Sequence, residues 1–291
     1  MQIAFHLGAH STDNDKLLKG LLKNKGYLSG RGVVVPGPGR YRNLIRKTIA
    51  ALGGARASVE TQEALLDTIL EVDHADRLVL SNENFICVAP RVFDGPNFYP
   101  QITDKITSYS NLFHGYDLEF HLGICNPAVL IPELCLRTPK MDYLDYLAGS
   151  DPKALRWSTV IQAITDTYPH APVTVWCNED TPLIWSHILS ALSGIEDGYS
   201  FDGEYDLVEE IMSPEGMKRF LGYLEAHPPQ NDVQKGRIIA AFLDKFAKPD
   251  EIETEIDLPG WDDAYVEELT AIYENDVQTI KRMPSVRFIG L

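Results

Sequence analysis

Short apolar runs that alternate with helical periodicity constrain this chain more than any other feature. IAFHLG (3–8) reads as a buried strand, and the segment after it sets Leu17, Leu18, Leu21 and Leu22 on one stripe, with Lys16, Lys19 and Lys23 elsewhere. GVVVPGPG (32–39) is a brief β-rich run stopped by Pro and Gly, and helical patterns follow over 41–52 and 60–72. RLVLS (77–81), DLEFHLGI (117–124) and PVTVWC (172–177) are further strand candidates, and VRFI (286–289) is a last one. Such alternation predicts an α/β fold, a central parallel β-sheet flanked by helices on both faces. From about 205 to 282 the chain is helix-rich and acidic. With no Pro/Gly/Ser-rich linker and no repeat, the expectation is a single domain over 1–291 with a helical extension over about 205–282.

A composition of 44% hydrophobic and 23% charged residues suits a soluble globular protein. No run approaches the ~18 apolar residues of a membrane span, and Asp13 and Asp15 come too early for a secretory leader, so a cytoplasmic protein with no membrane partner is expected. Cys87, Cys125, Cys135 and Cys177 lie scattered without a CxxC pair, which predicts reduced, partly buried thiols. His6 and His10 flank a strand end, where a spacing of four does not put two imidazoles on one face, so no metal site is expected.

The net charge of −16 is unevenly placed. Between Lys16 and Arg56 there are ten bases and no acid, whereas Glu196 to Asp276 holds twenty-two acids against six bases. Such a chain repels nucleic acid at long range, yet Arg40, Arg42 and Arg46 after the GPG turn could hold a small anionic ligand. The alternative is that these bases are solvated helix faces, and a protein partner is left open.

In parallel sheets ligands bind at the carboxyl ends of the strands, which draws the eye to HLGAHSTDND (6–15). A phosphate-binding turn needs backbone N–H groups, a lysine and a hydroxyl at a helix N-terminus. Gly8 and Thr12 suit it, but Ser11 takes the lysine position, and Asp13, Asn14 and Asp15 fill the stretch that would face the anion. Gly8, Ser11, Thr12 and Lys16, one turn on, are the candidate cofactor-binding residues. The competing reading makes Thr12 and Asp15 a helix cap with an acid in the first turn. Glu83 in SNENF (81–85) follows an apolar strand, where a carboxylate is placed for general-base work on an acceptor hydroxyl; the alternative has Glu83 and Asn84 satisfying the loop. NEDTPLIW (178–185) reads as a helix start with Asp180 or Thr181 as cap and Pro182 in its first turn, and the four tryptophans read as core or seam residues.

HLGAHST resembles the 5′-phosphosulfate loop, commonly HxGAHKT, of the bacterial branch of the sulfotransferase-like P-loop family, which uses 3′-phosphoadenosine 5′-phosphosulfate (PAPS). LLKNKGYLSGRGVVVPGPG resembles its next helix and strand, LVLSNENF a strand-end SxE segment, and LTAIYENDVQTIKRMPSVRFI its terminal helix and strand. The resemblance implies a sheet of the P-loop nucleotide-binding type, and it implies a base role for Glu83. It breaks at the phosphate-bearing positions: Ser11 stands at the lysine, Asp13 at a small residue, and Asn14 and Asp15 at hydroxyl positions. Aligning GICNPAVLIPEL (123–134) through Pro127 with the 3′-phosphate motif puts Cys125 at its arginine and Glu133 at its serine, with Arg137 beyond the motif. A cofactor of about four negative charges would meet Asp13, Asp15 and Glu133, each contact at 4 Å costing ~1 kcal/mol in water and ~4 at an effective dielectric of 20. The expectation is therefore a sulfotransferase-like protein with an eroded PAPS site and no cofactor, non-catalytic or repurposed for ligand or partner binding. The alternative is an active PAPS-dependent sulfotransferase with a displaced phosphate site and Glu83 as general base.

Overall fold

The computed structural model describes residues 1–196, 198–252 and 258–290. β1 (Gln2–His6) leads into α1 (Lys16–Lys23) and α2 (Lys25–Ser29), and β2 (Val33–Val34) into α3 (Pro38–Leu52) and α4 (Val59–Ile69). After β3 (Arg77–Ser81) come the hairpin of β4 (Phe93–Asp94) and β5 (Asn97–Phe98) and then α5 (Ile102–Leu112). β6 (Asp117–Ile124) is followed by α6 (Pro127–Arg137), α7 (Tyr143–Leu147) and α8 (Trp157–Thr167), and β7 (Val173–Cys177) by α9 (Thr181–Ser193). Then come α10 (Asp206–Ile211), α11 (Pro214–Ala226), α12 (Asp232–Phe246), α13 (Pro249–Ile252), α14 (Asp263–Ile280) and β8 (Val286–Ile289).

Six strands form one sheet in the order β2-β3-β1-β6-β7-β8, with every pairing parallel. The α/β expectation holds. Strand alternation sorts the core into two layers. Phe5, Leu80, Phe120 and Val175 point into a large core with α3 to α6, α8 and α14. Ala4, Val79 and Trp176 point the other way, against Leu17, Leu18 and Leu21 of α1 and Ile184, Ile188 and Leu189 of α9. The apolar stripe read from the sequence is thus the face of α1 that meets α9. Gly20 lets the two helices cross closely, since a Cβ there would stand 3.0 Å from the Trp185 ring.

Some boundaries differ from the sequence reading for local reasons. The helix expected from 41 begins at Pro38, whose fixed φ suits a first helical position. The helix expected over 60–72 starts after Ser58, whose Oγ accepts the Thr61 N–H at 3.2 Å, and stops where Leu70 turns extended. Trp157, Trp176 and Trp185 are core residues, while Trp261 donates to Tyr143 at a half-buried seam. Asp180 precedes α9 but makes no side-chain cap bond. Cys87, Cys125 and Cys177 are buried free thiols and Cys135 is half-buried.

The acidic part of the chain divides its packing. α10, α11 and α12 gather Val208, Met212, Phe220 and Ile239 into a small core of their own, whereas α14 returns Tyr273, Val277 and Ile280 to the main one. α10 also meets the basic segment, with Lys16 paired to Glu210 and Lys23 to Asp206. Among the described residues, no helix is long and apolar enough to cross a membrane.

Polar groups are buried under α9. Arg77 pairs with Glu119 and donates to the Leu192 carbonyl at 2.8 Å and the Ala191 carbonyl at 3.0 Å, and His121 Nε2 lies 2.7 Å from Glu119. Burial lowers the pKa of His6, His10 and His121 from the ordinary 6.5. The unfolded chain takes up protons near that value while the native chain resists them. Stability is then fully present above pH 6.5 and is lost on acidification, by up to about 1.4 kcal/mol per pH unit for each imidazole that stays neutral. Urea midpoints should fall between about pH 7.5 and 5.5. Equal midpoints would mean that these imidazoles protonate freely in the native state.

Candidate functional site

The loop after β1 sits where the strand order reverses, flanked by β3 and β6, which is where open α/β sheets bind ligands. Its first residues extend the ladder: Leu7 N–H donates to the His121 carbonyl at 2.9 Å, and Gly123 N–H to the Gly8 carbonyl at 2.7 Å. Gly8 has φ +102°, and a Cβ on it would lie 3.1 Å from the Glu83 Cα, so only glycine lets the loop press against the segment after β3. The sequence-predicted residues Gly8 and Glu83 are therefore in contact.

Glu83 turns its carboxylate onto the loop. Ser11 N–H donates to Glu83 Oε2 at 3.3 Å. Arg137, from the last turn of α6, holds both Glu83 oxygens through Nη1 at 2.7 and 2.8 Å, and its Nη2 donates to Asn14 Oδ1 at 2.5 Å. The carboxylate occupies the loop N–H that a phosphate would use, with an arginine as counter-ion. Ser11 Oγ is buried and finds no partner.

The helix N-terminus beyond is filled in the same way. Asp13 is buried, and its Oδ2 accepts the Leu17 N–H at 3.1 Å, setting a negative charge on the positive end of α1. The cap expected of Thr12 and Asp15 is absent. Thr12 Oγ1 donates back to the Ala9 carbonyl at 2.8 Å, and Asp15, with φ +64°, makes no side-chain cap bond. Asp15 instead faces Arg42, which reaches its two oxygens at 2.5 and 3.1 Å and anchors on the Ser81 carbonyl. The Arg42 hydrogen bonds lower the Asp15 pKa. Burial opposes the Arg42 charge, but Asp15 and Tyr41 together more than offset it, and the Arg42 pKa ends up raised.

The remaining candidates disperse. Lys16 is paired with Glu210 of α10. Arg40 pairs with Glu71 at 3.0 Å, and Arg46 bonds Asn43 at 3.1 Å, so Arg40, Arg42 and Arg46 each have a partner of their own. Cys125 is buried at the end of β6, and its carbonyl accepts the Trp157 indole N–H at 2.8 Å. His6 bonds the Ser81 hydroxyl and His10 bonds Tyr99 and the Cys87 carbonyl, so the two imidazoles have separate surroundings. Among the described residues no group of three or more His, Cys, Asp or Glu is placed to hold a metal ion.

The residues present do not fit PAPS in the manner that the sequence motif implies. The loop N–H of Ser11 is taken by Glu83, the α1 N-terminus by Asp13, and the nearest lysine by Glu210. Beside Thr12, Asp13 and Lys16 lies a cavity of about 130 Å³, below the roughly 300–1,000 Å³ of small-molecule sites.

No protein-family model matches the chain, and no curated protein matches it. Among solved structures, a sulfotransferase from Alicyclobacillus acidocaldarius is similar over 82% of this chain and 97% of its own, at 12% identity and a TM-score of 0.41. A likeness this loose carries nothing about activity.

Proposed function

We propose that this chain is a sulfotransferase-like protein whose anion loop is closed by its own side chains, and that it acts by binding rather than by catalysis. One observation supports this reading above the rest: Glu83 accepts the Ser11 N–H while Arg137 holds both of its oxygens. A carboxylate held in this way fills an anion site, and the arginine and the loop N–H occupy the lone pairs that a substrate hydroxyl would need. Two of the acids that would repel a phosphate are satisfied internally, Asp13 by α1 and Asp15 by Arg42.

A second reading keeps the chain an active PAPS-dependent sulfotransferase with Glu83 as general base. It is favoured by the buried, unpartnered Ser11 hydroxyl, a donor that a bound anion would satisfy. The two readings separate in a melting experiment. Raising phosphate or sulfate to about 50 mM at constant ionic strength should leave Tm flat, because a ligand stabilises only the state that binds it. A rise in Tm that chloride competes away would count against the closed loop, or would put the anion at Arg40, Arg42 and Arg46.

A further inference from the structure

A polar cleft of about 500 Å³ lies away from the loop, where α9 meets the small helical unit built on α10 to α12. Its charged wall is Lys235, whose side chain is 14% exposed. The ammonium pairs with Glu204 at 2.6 Å and Asp232 at 3.1 Å, and it donates to Ser186 Oγ at 3.2 Å. His187 Nε2 stands 3.5 Å from Asp232. Serines, amides, Tyr199 and Tyr205 are among the other lining residues.

This chemistry excludes most ligand classes. Two carboxylates against one ammonium repel a phosphate or sulfate ester. At the N-terminus of α12, Asn231 Oδ1 takes the Gln234 N–H at 2.9 Å and Asp232 sets a carboxylate in the first turn, so an anion there would meet a like charge. An apolar ligand would strip water from Lys235, Glu204 and Asp232 without replacing its hydrogen bonds. A cationic amine would compete with Lys235 for carboxylates already paired to it. A hydroxyl both donates and accepts, so it can bond the carboxylates and the serine and amide groups without adding charge. The volume falls within the roughly 300–1,000 Å³ usual for small-molecule sites.

We propose that this cleft binds a neutral polyhydroxylated ligand of the sugar class. The proposal does not depend on how the loop is read. Saturation-transfer NMR on the full chain tests it, with sucrose, methyl α-D-glucopyranoside and N-acetylglucosamine as probes and spermidine and AMP as charged counter-probes. Transfer to at least one sugar is expected. It should be lost in Ser200→Trp, which fills the cleft from an exposed position, weakened in Lys235→Gln, and unchanged in Glu83→Ala. Absence of transfer to all three sugars would overturn the proposal, as would transfer that survives both cleft substitutions or a response confined to spermidine or AMP.

Discussion

Replacing Arg77 with Met is expected to remove about 3–5 kcal/mol of stability, because it leaves the Glu119 charge buried without its partner. The two side chains are 8% and 11% exposed, so little water is available to take over. Glu119 would keep only the Gln2 amide at 2.8 Å and an imidazole, His121, that burial holds neutral. The carbonyls of Leu192 and Ala191 at the end of α9 would lose their donor as well. Against a usual total of roughly 5–15 kcal/mol, that is a large fraction. Burial pushes the Arg77 guanidinium down to about 10, which leaves it charged at neutral pH. The double variant Arg77→Met with Glu119→Leu should recover much of the loss, since an apolar pair of similar volume is often neutral relative to a buried ion pair. Urea denaturation at pH 7.5 reads both variants, and a single-variant loss below about 1 kcal/mol would contradict the buried placement of the pair.

The second large effect concerns binding. Glu83→Ala should raise the affinity of the loop for sulfate or phosphate by about 10- to 100-fold, because it frees the Ser11 N–H and leaves Arg137 without a counter-ion. A charge-assisted hydrogen bond contributes ~1.5–3 kcal/mol, and removing the carboxylate also removes a like charge from the site. The gain should vanish in Glu83→Ala with Arg137→Ala, which separates a site built on the arginine from a general drop in negative charge. The pair is partly exposed, so Glu83→Ala should cost only about 1 kcal/mol of stability and leave the variant folded.

Much of the sheet was legible in the sequence because its inner strands are buried on both faces and read as apolar runs. RLVLS, DLEFHLGI and VRFI coincide with β3, β6 and β8. Gly8 and Glu83 could each be placed at the carboxyl edge of the sheet because both follow strands, whereas their contact rests on the structure. What each side chain does there could not be read. Asp13 looks in sequence like a charge that repels a phosphate, yet it is buried on the Leu17 N–H. Asp15 looks like a cap, but its partner Arg42 is 27 residues away and only the packing of α3 brings them together. Arg137 lies beyond the aligned motif, yet α6 carries it to Glu83, 54 residues distant. Local periodicity specifies elements, whereas these ion pairs depend on tertiary packing.

A closed loop requires that Glu83 already occupies the anion site. Calorimetric titration of the unmodified chain and of Glu83→Ala with the 3′,5′-bisphosphate product of PAPS tests this most directly. No measurable heat of binding is expected for the native chain, and clear binding is expected for Glu83→Ala. Micromolar binding by the native chain that Glu83→Ala leaves unchanged or weakens would contradict the closed loop.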